Sequence, residues 1–318
     1  MALFLGVDAG GSKTAFVLLD DTGRVVAEAR GPSGYYFGSG IDTVAAVLAD
    51  GLARVTALAG VGTDEIAYAF FGLPGYGETT ADTDRLDAIP RGLLGHDRYT
   101  CDNDMIGGWA GSLGGQDGIN VISGTGSMVY GEHRGATCRV GGWGELFGDD
   151  GSAYWIATRG LNAFSRMSDG RLPRGPLYDV VRQRIGLTRD LDLVGVVMHE
   201  WRGARSEIAR LSKAVVEADA AGDRVAGAIL ADACHELTQL VGAARDLLGY
   251  AGDEAMPVSY SGGMFTAPSF LTGFTAALDT LGSGYQLHPP MFGPGIGSAL
   301  YAMRKHGAAP PSHPSGLH

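Results

Sequence analysis

The chain opens with a strand, a glycine-rich turn and a second strand, and this hairpin constrains the fold more than any other stretch. Residues 4–9 are apolar except for Asp8, and the turn leads directly into the apolar run 15–19. Successive backbone N–H groups in a glycine-rich turn form a concavity that binds anions. Asp8, at the strand end, suits a hydrated Mg²⁺ held through water beside bound phosphates. The predicted phosphate-binding residues are Gly10, Gly11, Ser12, Lys13 and Thr14.

A glycine hairpin without any ligand would have the same local sequence, so other motifs must decide between the two interpretations. The turn is not a Walker loop, because Lys13 comes one residue late for that spacing and a strand, not a helix, follows.

Length and charge limit the classes of protein to consider. The 318 residues suffice for about two domains. A hydrophobic fraction of 45% and a charged fraction of 19% are typical of a globular protein. The net charge of −11 argues against binding to nucleic acid or to an anionic membrane surface.

The three cysteines, Cys101, Cys138 and Cys234, are widely spaced and include no Cys-x-x-Cys pair. Neither a disulfide framework nor a cysteine-held metal cluster is therefore predicted. No apolar run reaches the roughly 18 residues of a membrane span, and the N-terminus does not resemble a signal peptide. We expect a cytoplasmic protein.

The order of elements predicts two lobes of similar topology. Residues 1–117 read as three antiparallel strands followed by alternating helices and strands, which indicates a mixed α/β lobe. At Gly118 the plan restarts with another apolar strand and glycine turn. The second lobe is predicted over 118–306, with a helical insertion at about 152–250. The last helix, 294–305, belongs to the second lobe in this division but could pack back on the first lobe. Residues 307–318 are predicted to form a flexible tail.

A second glycine and hydroxyl turn and a later glycine pair extend the phosphate hypothesis. The turn comprises Ser123, Gly124, Thr125, Gly126 and Ser127. Two such turns facing each other across a cleft could hold the phosphates of ATP, while Gly262 and Gly263 would let an adenine ring lie flat on the backbone. The combination predicts a nucleotide clamp.

Two acidic segments have alternative interpretations. Asp104, at a strand end, could accept the proton of an attacking hydroxyl, or Asn103-Asp104 could cap the next helix, and the two roles can coexist. Similarly, Asp149 or Asp150 could cap a helix starting at Ala153. Trp143, among glycines, could form a sugar-ring wall or fill the core, and we favour the wall.

Together these motifs resemble the BadF/BadG/BcrA/BcrD ATPase family, in particular its N-acetylglucosamine kinase branch. They occur in the expected order: Asp8 to Thr14, Asn103-Asp104, Ser123 to Ser127, Gly141 to Gly144, Gly148 to Trp155 and Ser261 to Gly263. The resemblance implies the two-lobed actin-like ATPase (ribonuclease H-like) α/β fold, with ATP, Mg²⁺ and a sugar in the interlobe cleft. It also implies phosphoryl transfer to a sugar hydroxyl, with O6 of an amino sugar expected.

Site roles follow from the resemblance residue by residue. Asp104 matches the catalytic base. The implied substrate-binding residues are Tyr35, Pro74, Gly75, Asn103, Asp104, Gly142, Trp143 and Asp149. Tyr35 is a departure, because kinases of this branch carry there an Asn that contacts the hexose, so glucosamine or another hexose derivative is an alternative substrate.

Two other functions compete with a kinase that acts on a small-molecule sugar. An ATPase activator of a dehydratase would need a cysteine-held iron–sulfur cluster, for which this chain has no suitable cysteine pair. A nucleotide switch that acts on a protein partner shares the fold alone. Whether the chain forms a homodimer is left open.

Overall fold

The computed structural model describes residues 1–10, 13–36, 40–77 and 79–309. Gly11 and Ser12 of the first turn, and residues 310–318 of the predicted tail, lie outside the described residues. The chain forms two compact units, one of Met1–Asp117 with Pro289–His318 and the other of Gly118–His288. The stretch after His288 thus groups with the first unit, although the sequence division extended the second lobe to residue 306.

Within the described ranges, the strands are β1 Leu3–Ala9, β2 Lys13–Asp20, β3 Val25–Pro32, β4 Ile66–Leu73, β5 Tyr99–Asn103, β6 Gly118–Ser123, β7 Ser127–His133, β8 Ala136–Gly141, β9 Met256–Ser261 and β10 Tyr285–Leu287. The helices are α1 Ile41–Ala59, α2 Thr80–Leu94, α3 Met105–Ser112, α4 Ala153–Ser168, α5 Pro176–Ile185, α6 Asp192–Gly195, α7 Arg205–Ala209, α8 Ser212–Ala220, α9 Arg224–Leu248, α10 Pro268–Asp279 and α11 Pro294–His306. Single turns of 3₁₀ helix at Thr63–Glu65 and Gly263–Thr266, and of π helix at Val196–Glu200, complete the helical segments.

The sheet of the first unit has the strand order β3-β2-β1-β4-β5. The β1–β2 and β2–β3 pairs are antiparallel, whereas the β1–β4 and β4–β5 pairs are parallel. Because β1, β4 and β5 run in the same direction, their carboxyl ends lie at one edge of the sheet. Asp8 pairs with Gly72, and Gly72 pairs with Asp102, so the acidic strand ends predicted from sequence are neighbours across this edge.

Alternation along the apolar strands covers both faces of this sheet. On β1, Leu5 and Val7 join the core that contains α1 and α2. The intervening Gly6 faces α11, where a Cβ on Gly6 would lie 2.1 Å from the backbone nitrogen of Ala299. A glycine at this position therefore permits close approach of the last helix to the central strand.

The sheet of the second unit repeats the same plan, with the order β10-β9-β6-β7-β8. The β6–β7 and β7–β8 pairs are antiparallel, and the β6–β9 and β9–β10 pairs are parallel. Apolar residues of β6 and β9 pack in one core with helices of the insertion, including α4 and α9. In the described chain, no helix has both the length and the apolar character needed to cross a lipid bilayer.

Candidate active site

The first glycine turn is fastened to its own unit at both ends. The N–H of Gly10 donates to the Lys13 carbonyl at 2.8 Å, and the Ser33 hydroxyl donates to the Gly10 carbonyl at 3.1 Å. Thr14 is fully buried, and its hydroxyl donates to the Pro32 carbonyl at 2.7 Å. Because the Thr14 hydroxyl donates its proton to a carbonyl inside the protein, the side chain gives no support to the predicted contact of Thr14 with phosphate. Lys13 is exposed beside the turn.

Two carboxylates flank Gly72 at the carboxyl edge of the first sheet. Asp8 is paired across the sheet with Gly72, and a Cβ on Gly72 would lie 3.1 Å from the Asp104 Cα and 3.2 Å from the Val7 carbonyl oxygen. The small residue between them allows β1 and the start of α3 to come close together. The predicted metal-binding residue and the predicted base are therefore neighbours in the fold.

Burial and the neighbouring Asp104 change the protonation of Asp8. Burial, and to a smaller extent the charge of Asp104, raise the pKa of Asp8 to about 7, although Lys13 acts to lower it. A divalent cation at this place would offset the repulsion, and carboxylate oxygens are the ligands that Mg²⁺ prefers. No group of three or more acidic, His or Cys side chains that could hold a metal exists among the described residues. A single carboxylate supplies few of the ligands that Mg²⁺ takes, so water and phosphate oxygens would have to supply the rest.

Removing the Asp8 carboxylate is expected to stabilise the protein when no metal or nucleotide is bound. The folded state binds a proton at Asp8 more tightly than the unfolded state does, so its stability falls as pH rises from about 4 to about 7. Asp8→Asn removes this loss. We expect its unfolding temperature in EDTA to exceed that of the parent by a few degrees at pH 8, and the gap to shrink towards pH 5.

Asp84→Asn is the matched control for this measurement, because Asp84 is exposed on α2 of the same unit. A pH-independent gap for Asp8→Asn, or an equal gap for the control, would contradict the electrostatic explanation. Both variants are compared with the parent by calorimetry across the same pH series.

The capping alternative for Asn103-Asp104 is resolved by the hydrogen bonds. Asp104 occupies the N-cap position of α3, but its side chain accepts no capping bond from the helix. The Asn103 side chain does this instead, because its Oδ1 accepts from the Met105 N–H at 3.2 Å, while its Nδ2 donates to the Tyr76 carbonyl at 3.3 Å. Asn103 is buried and orders the local backbone. The Asp104 carboxylate is not needed for capping.

The predicted sugar-contacting residues of the first unit are tied together by neighbouring side chains. Tyr36 is buried, and its hydroxyl donates to the Gly75 carbonyl at 3.5 Å. Tyr35 is 46% exposed, and its N–H donates to the Ser33 hydroxyl that also contacts Gly10. The loop after β3 is thereby connected to the first turn and to the Pro74-Gly75 turn.

The second glycine turn uses its hydroxyl groups to hold an adjacent loop. Ser123 and Ser127 are buried, and their hydroxyls donate to the carbonyls of Gly151 and Asp150 at 2.8 and 2.6 Å. The Gly124 N–H donates across the turn to the Gly126 carbonyl at 2.9 Å. The two hydroxyls therefore hold the loop before α4 beside the turn.

Two backbone donors of this turn remain available. In the described part of the chain, the N–H groups of Thr125 and Gly126 donate to no protein acceptor. Thr125 is exposed at the tip. Adjacent unpaired N–H groups are the feature by which a glycine turn binds an anion.

Gly262 lies against the second glycine turn, and the predicted nucleotide clamp places these two segments together. It has a φ of 102°, and a Cβ there would lie 2.3 Å from the Ser123 carbonyl oxygen and 2.8 Å from the Gly124 nitrogen. By contrast, a Cβ on Gly263 would meet nothing within 4 Å. The structure thus brings Gly262 onto the turn and leaves the space beside Gly263 open.

The loop before α4 differs from the predicted cap. Ser152 is the N-cap, with its side chain accepting from the Trp155 N–H at 3.1 Å, so neither Asp149 nor Asp150 caps this helix. Gly142 has a φ of 72°, and Trp143 is 73% exposed. An indole with this exposure does not fill a core, so the core interpretation of Trp143 is wrong.

Asp149 has a cationic partner that the sequence did not reveal. It is buried, adopts a φ of 55° and forms an ion pair with Arg205, the first residue of α7. Burial raises the pKa of Asp149, while Arg205 and the Ser127 N–H act to lower it. No local pattern joins residues 56 positions apart, so only the folded insertion identifies the pair.

Comparison with known proteins extends over nearly the whole chain. A sequence model of the BadF/BadG/BcrA/BcrD ATPase family matches residues 5–302. The N-acetyl-D-glucosamine kinase of Dictyostelium discoideum is 29% identical over 270 residues, which cover 82% of this chain and 85% of that protein. The N-acetylmuramic acid/N-acetylglucosamine kinase of Clostridium acetobutylicum is 29% identical over 273 residues, covering 85% and 88%.

Among solved structures, a candidate N-acetylglucosamine kinase from Chromobacterium violaceum has a TM-score of 0.73 and 25% identity, over 94% of this chain and 98% of that one. With two five-stranded mixed sheets flanked by helices, the chain has the α/β fold of the actin-like sugar kinases, which confirms the predicted fold class.

Proposed function

We propose a substrate and a reaction site for this chain, which belongs to the BadF/BadG/BcrA/BcrD ATPase family. The chain is an ATP-dependent sugar kinase, as are its curated relatives. Its proposed acceptor is an amino sugar such as N-acetylglucosamine or glucosamine, with phosphorylation at O6. The observation that carries this proposal is the placement of Asp104 next to Asp8 at the carboxyl edge of the first sheet.

Asp104 is the proposed catalytic base. A carboxylate at the end of a parallel strand faces the side of the sheet where ligands of α/β folds bind. Asn103 supplies a capping bond to α3, whereas the Asp104 side chain makes no capping bond to this helix. It is suited to accept the proton of a sugar hydroxyl.

The proposed reaction balances without any further reactant. The sugar oxygen forms a bond to the γ-phosphorus of ATP while the bond from that phosphorus to the bridging oxygen of ADP breaks. The hydroxyl proton passes to the Asp104 carboxylate, and ADP leaves with the bridging oxygen. Such transfer depends mainly on positioning and on stabilising charge, which the glycine turns would supply through backbone N–H groups.

The phosphate contacts are proposed on both turns. On the second turn the donors are the N–H groups of Thr125 and Gly126, and Gly262 packs against Ser123 and Gly124 of the same turn. On the first turn, Gly10 and Lys13 are among the proposed contacts. Gly11 and Ser12, which stand between them in the sequence, lie outside the described residues. Asp8 would hold Mg²⁺ through water, and the ion when bound would screen the negative charges of the phosphates.

The acceptor contacts are proposed on three loops. Tyr35 stands where the related kinases carry an Asn, and its exposed ring could lie against a hexose. The other contacts come from the Pro74-Gly75 turn and from the loop with Trp143 and Asp149. The two proposed substrates differ at one group, which is an N-acetyl group in N-acetylglucosamine and a free amine in glucosamine.

A panel of acceptors tests the proposal directly. N-acetylglucosamine, glucosamine, N-acetylmuramic acid, glucose and buffer alone are assayed for ADP release with Mg²⁺ and ATP. We expect the highest kcat/KM with an amino sugar and a phosphate at O6, located by ³¹P–¹H coupling in the NMR spectrum of the product. Phosphorylation at another oxygen would contradict the assignment of O6.

A second outcome would favour a different function. If ADP formed at the same rate with and without every sugar, a nucleotide switch that acts on a protein partner would explain the fold better. An electron-transferring activator has less support, because Cys101, Cys138 and Cys234 are all buried and unpaired. Burial raises the pKa of each thiol, so none is poised as a thiolate ligand.

A further inference from the structure

Arg205 reaches from the helical insertion to the loop that carries Asp149. Its Nη2 donates to Asp149 Oδ2, and its Nε lies 3.4 Å from Glu145 Oε2. Asp149 is only 5% exposed, so its negative charge is largely removed from water. A buried carboxylate needs a charged or hydrogen-bonding partner to remain ionised, and Arg205 is the cation that contacts it.

The same carboxylate is also held by the second glycine turn. The Ser127 N–H donates to Asp149 Oδ1 at 3.4 Å, so the two carboxylate oxygens have separate donors. A Cβ on Gly126 would lie 2.4 Å from Arg205 Nη2 and 2.8 Å from Asp149 Oδ2. The guanidinium therefore packs directly on the turn whose N–H groups are the proposed phosphate donors.

The charges around Asp149 oppose one another. Burial raises its pKa, Glu145 raises it as well, and Arg205 counters both. These are the charged groups that face the carboxylate, one from α7 and one from its own loop. Without the guanidinium, the neutral acid would be favoured, and a neutral acid accepts fewer hydrogen bonds from sugar hydroxyls.

We infer that Arg205 is a positioning residue that fixes the orientation of the Asp149 carboxylate for hydrogen bonds from the acceptor sugar. This inference rests on the proposed function, in which Asp149 contacts the sugar. It assigns to the helical insertion an indirect part in acceptor recognition, through the Asp149 carboxylate. Arg205 acts through the Asp149 carboxylate and through its ion pair with Glu145 on the same loop.

The test compares Arg205→Ala and Arg205→Lys with the parent in steady-state assays of the preferred sugar. We expect Arg205→Ala to raise the KM for the sugar about 10- to 100-fold, because it leaves a buried carboxylate without its cation. The Kd of a non-hydrolysable ATP analogue should change by a smaller factor than the sugar KM, even though the guanidinium packs on the second turn. Arg205→Lys keeps the charge but loses the two-pronged contact, and should recover part of the loss.

The pH profile provides a readout that a purely structural role would not move. In Arg205→Ala, the acidic limb of kcat/KM for the sugar should shift to higher pH, since Asp149 is then harder to ionise. Arg205→Lys should place the limb between those of the parent and the alanine variant. If the alanine variant does not fold, the KM and pH limb of Arg205→Lys decide the question.

Arg210→Ala is the matched control, because Arg210 forms an exposed ion pair with Glu207 close by in the same chain segment. The inference would be overturned if the Arg205 variants and this control had the same sugar KM and the same acidic limb of kcat/KM. That result would leave the kinase activity of the parent intact. A parent enzyme that turns over no sugar would overturn the proposed function itself, and the inference with it.

Discussion

Replacing Asp104 with asparagine is expected to lower sugar-dependent ADP formation by a factor on the order of 10³, the range typical of a lost general base. Asparagine keeps the size of the side chain and cannot accept the proton. Because Asn103 provides the capping bond, the fold of the first unit should be retained. Turnover is measured with the preferred sugar at saturation, and binding of the ATP analogue is measured on the same preparation.

Asp84→Asn serves again as the control, since it removes an exposed carboxylate from the same unit. The asparagine variant at position 104 should bind the ATP analogue at least as well as the parent, because one negative charge near the phosphates is gone. Turnover within about tenfold of the parent would refute the role of Asp104 as base.

Gly262→Ala is expected to cause the largest loss of stability among substitutions at the nucleotide turns. The alanine Cβ would lie 2.3 Å from the Ser123 carbonyl oxygen and 2.5 Å from its carbonyl carbon, both of which are backbone atoms. The φ of 102° adds strain for any residue with a side chain. We expect a loss of about 2–4 kcal/mol in the free energy of unfolding from overpacking and strain together.

The neighbouring Gly263→Ala is a matched control within the same motif. Its Cβ would meet nothing within 4 Å, and the position carries no positive φ. Calorimetry should therefore give an unfolding temperature close to that of the parent. Weaker binding of the ATP analogue in this stable variant would place the adenine against Gly263, whereas unchanged binding would remove Gly263 from the proposed nucleotide contacts. Equal destabilisation of the two variants would contradict the packing argument.

The sequence was sufficient to predict the parts of this site that depend on strand ends. Asp8 lies near the end of the apolar strand β1 and Asp104 directly follows β5, and parallel strands bring their carboxyl ends to one edge of a sheet. The proximity of the two carboxylates across Gly72 is the three-dimensional result of that pattern. Similarly, the repeat of the strand order in the second unit follows from the second apolar strand and glycine turn at Gly118.

Side-chain roles that depend on packing were not predictable. Thr14 and Ser127 are residues of a type that often binds phosphate, yet their hydroxyls are buried and donate to carbonyls of neighbouring segments. Ser152 caps α4 although two acidic residues precede it, and Asp149 instead forms an ion pair with Arg205. Composition identifies which residues can donate or accept, but the tertiary contacts determine which partner each one takes.

The return of α11 to the first unit has a consequence for the order in which the protein acquires its structure during synthesis. The last helix packs on the central strand β1 at Gly6, and Gly297 of α11 leaves no room for a Cβ against the Gly107 carbonyl oxygen of α3. The second unit is continuous in sequence, so every residue of it has left the ribosome before α11 does. We therefore expect the second unit to complete its fold first, and the first unit to complete its fold only when α11 has been synthesised.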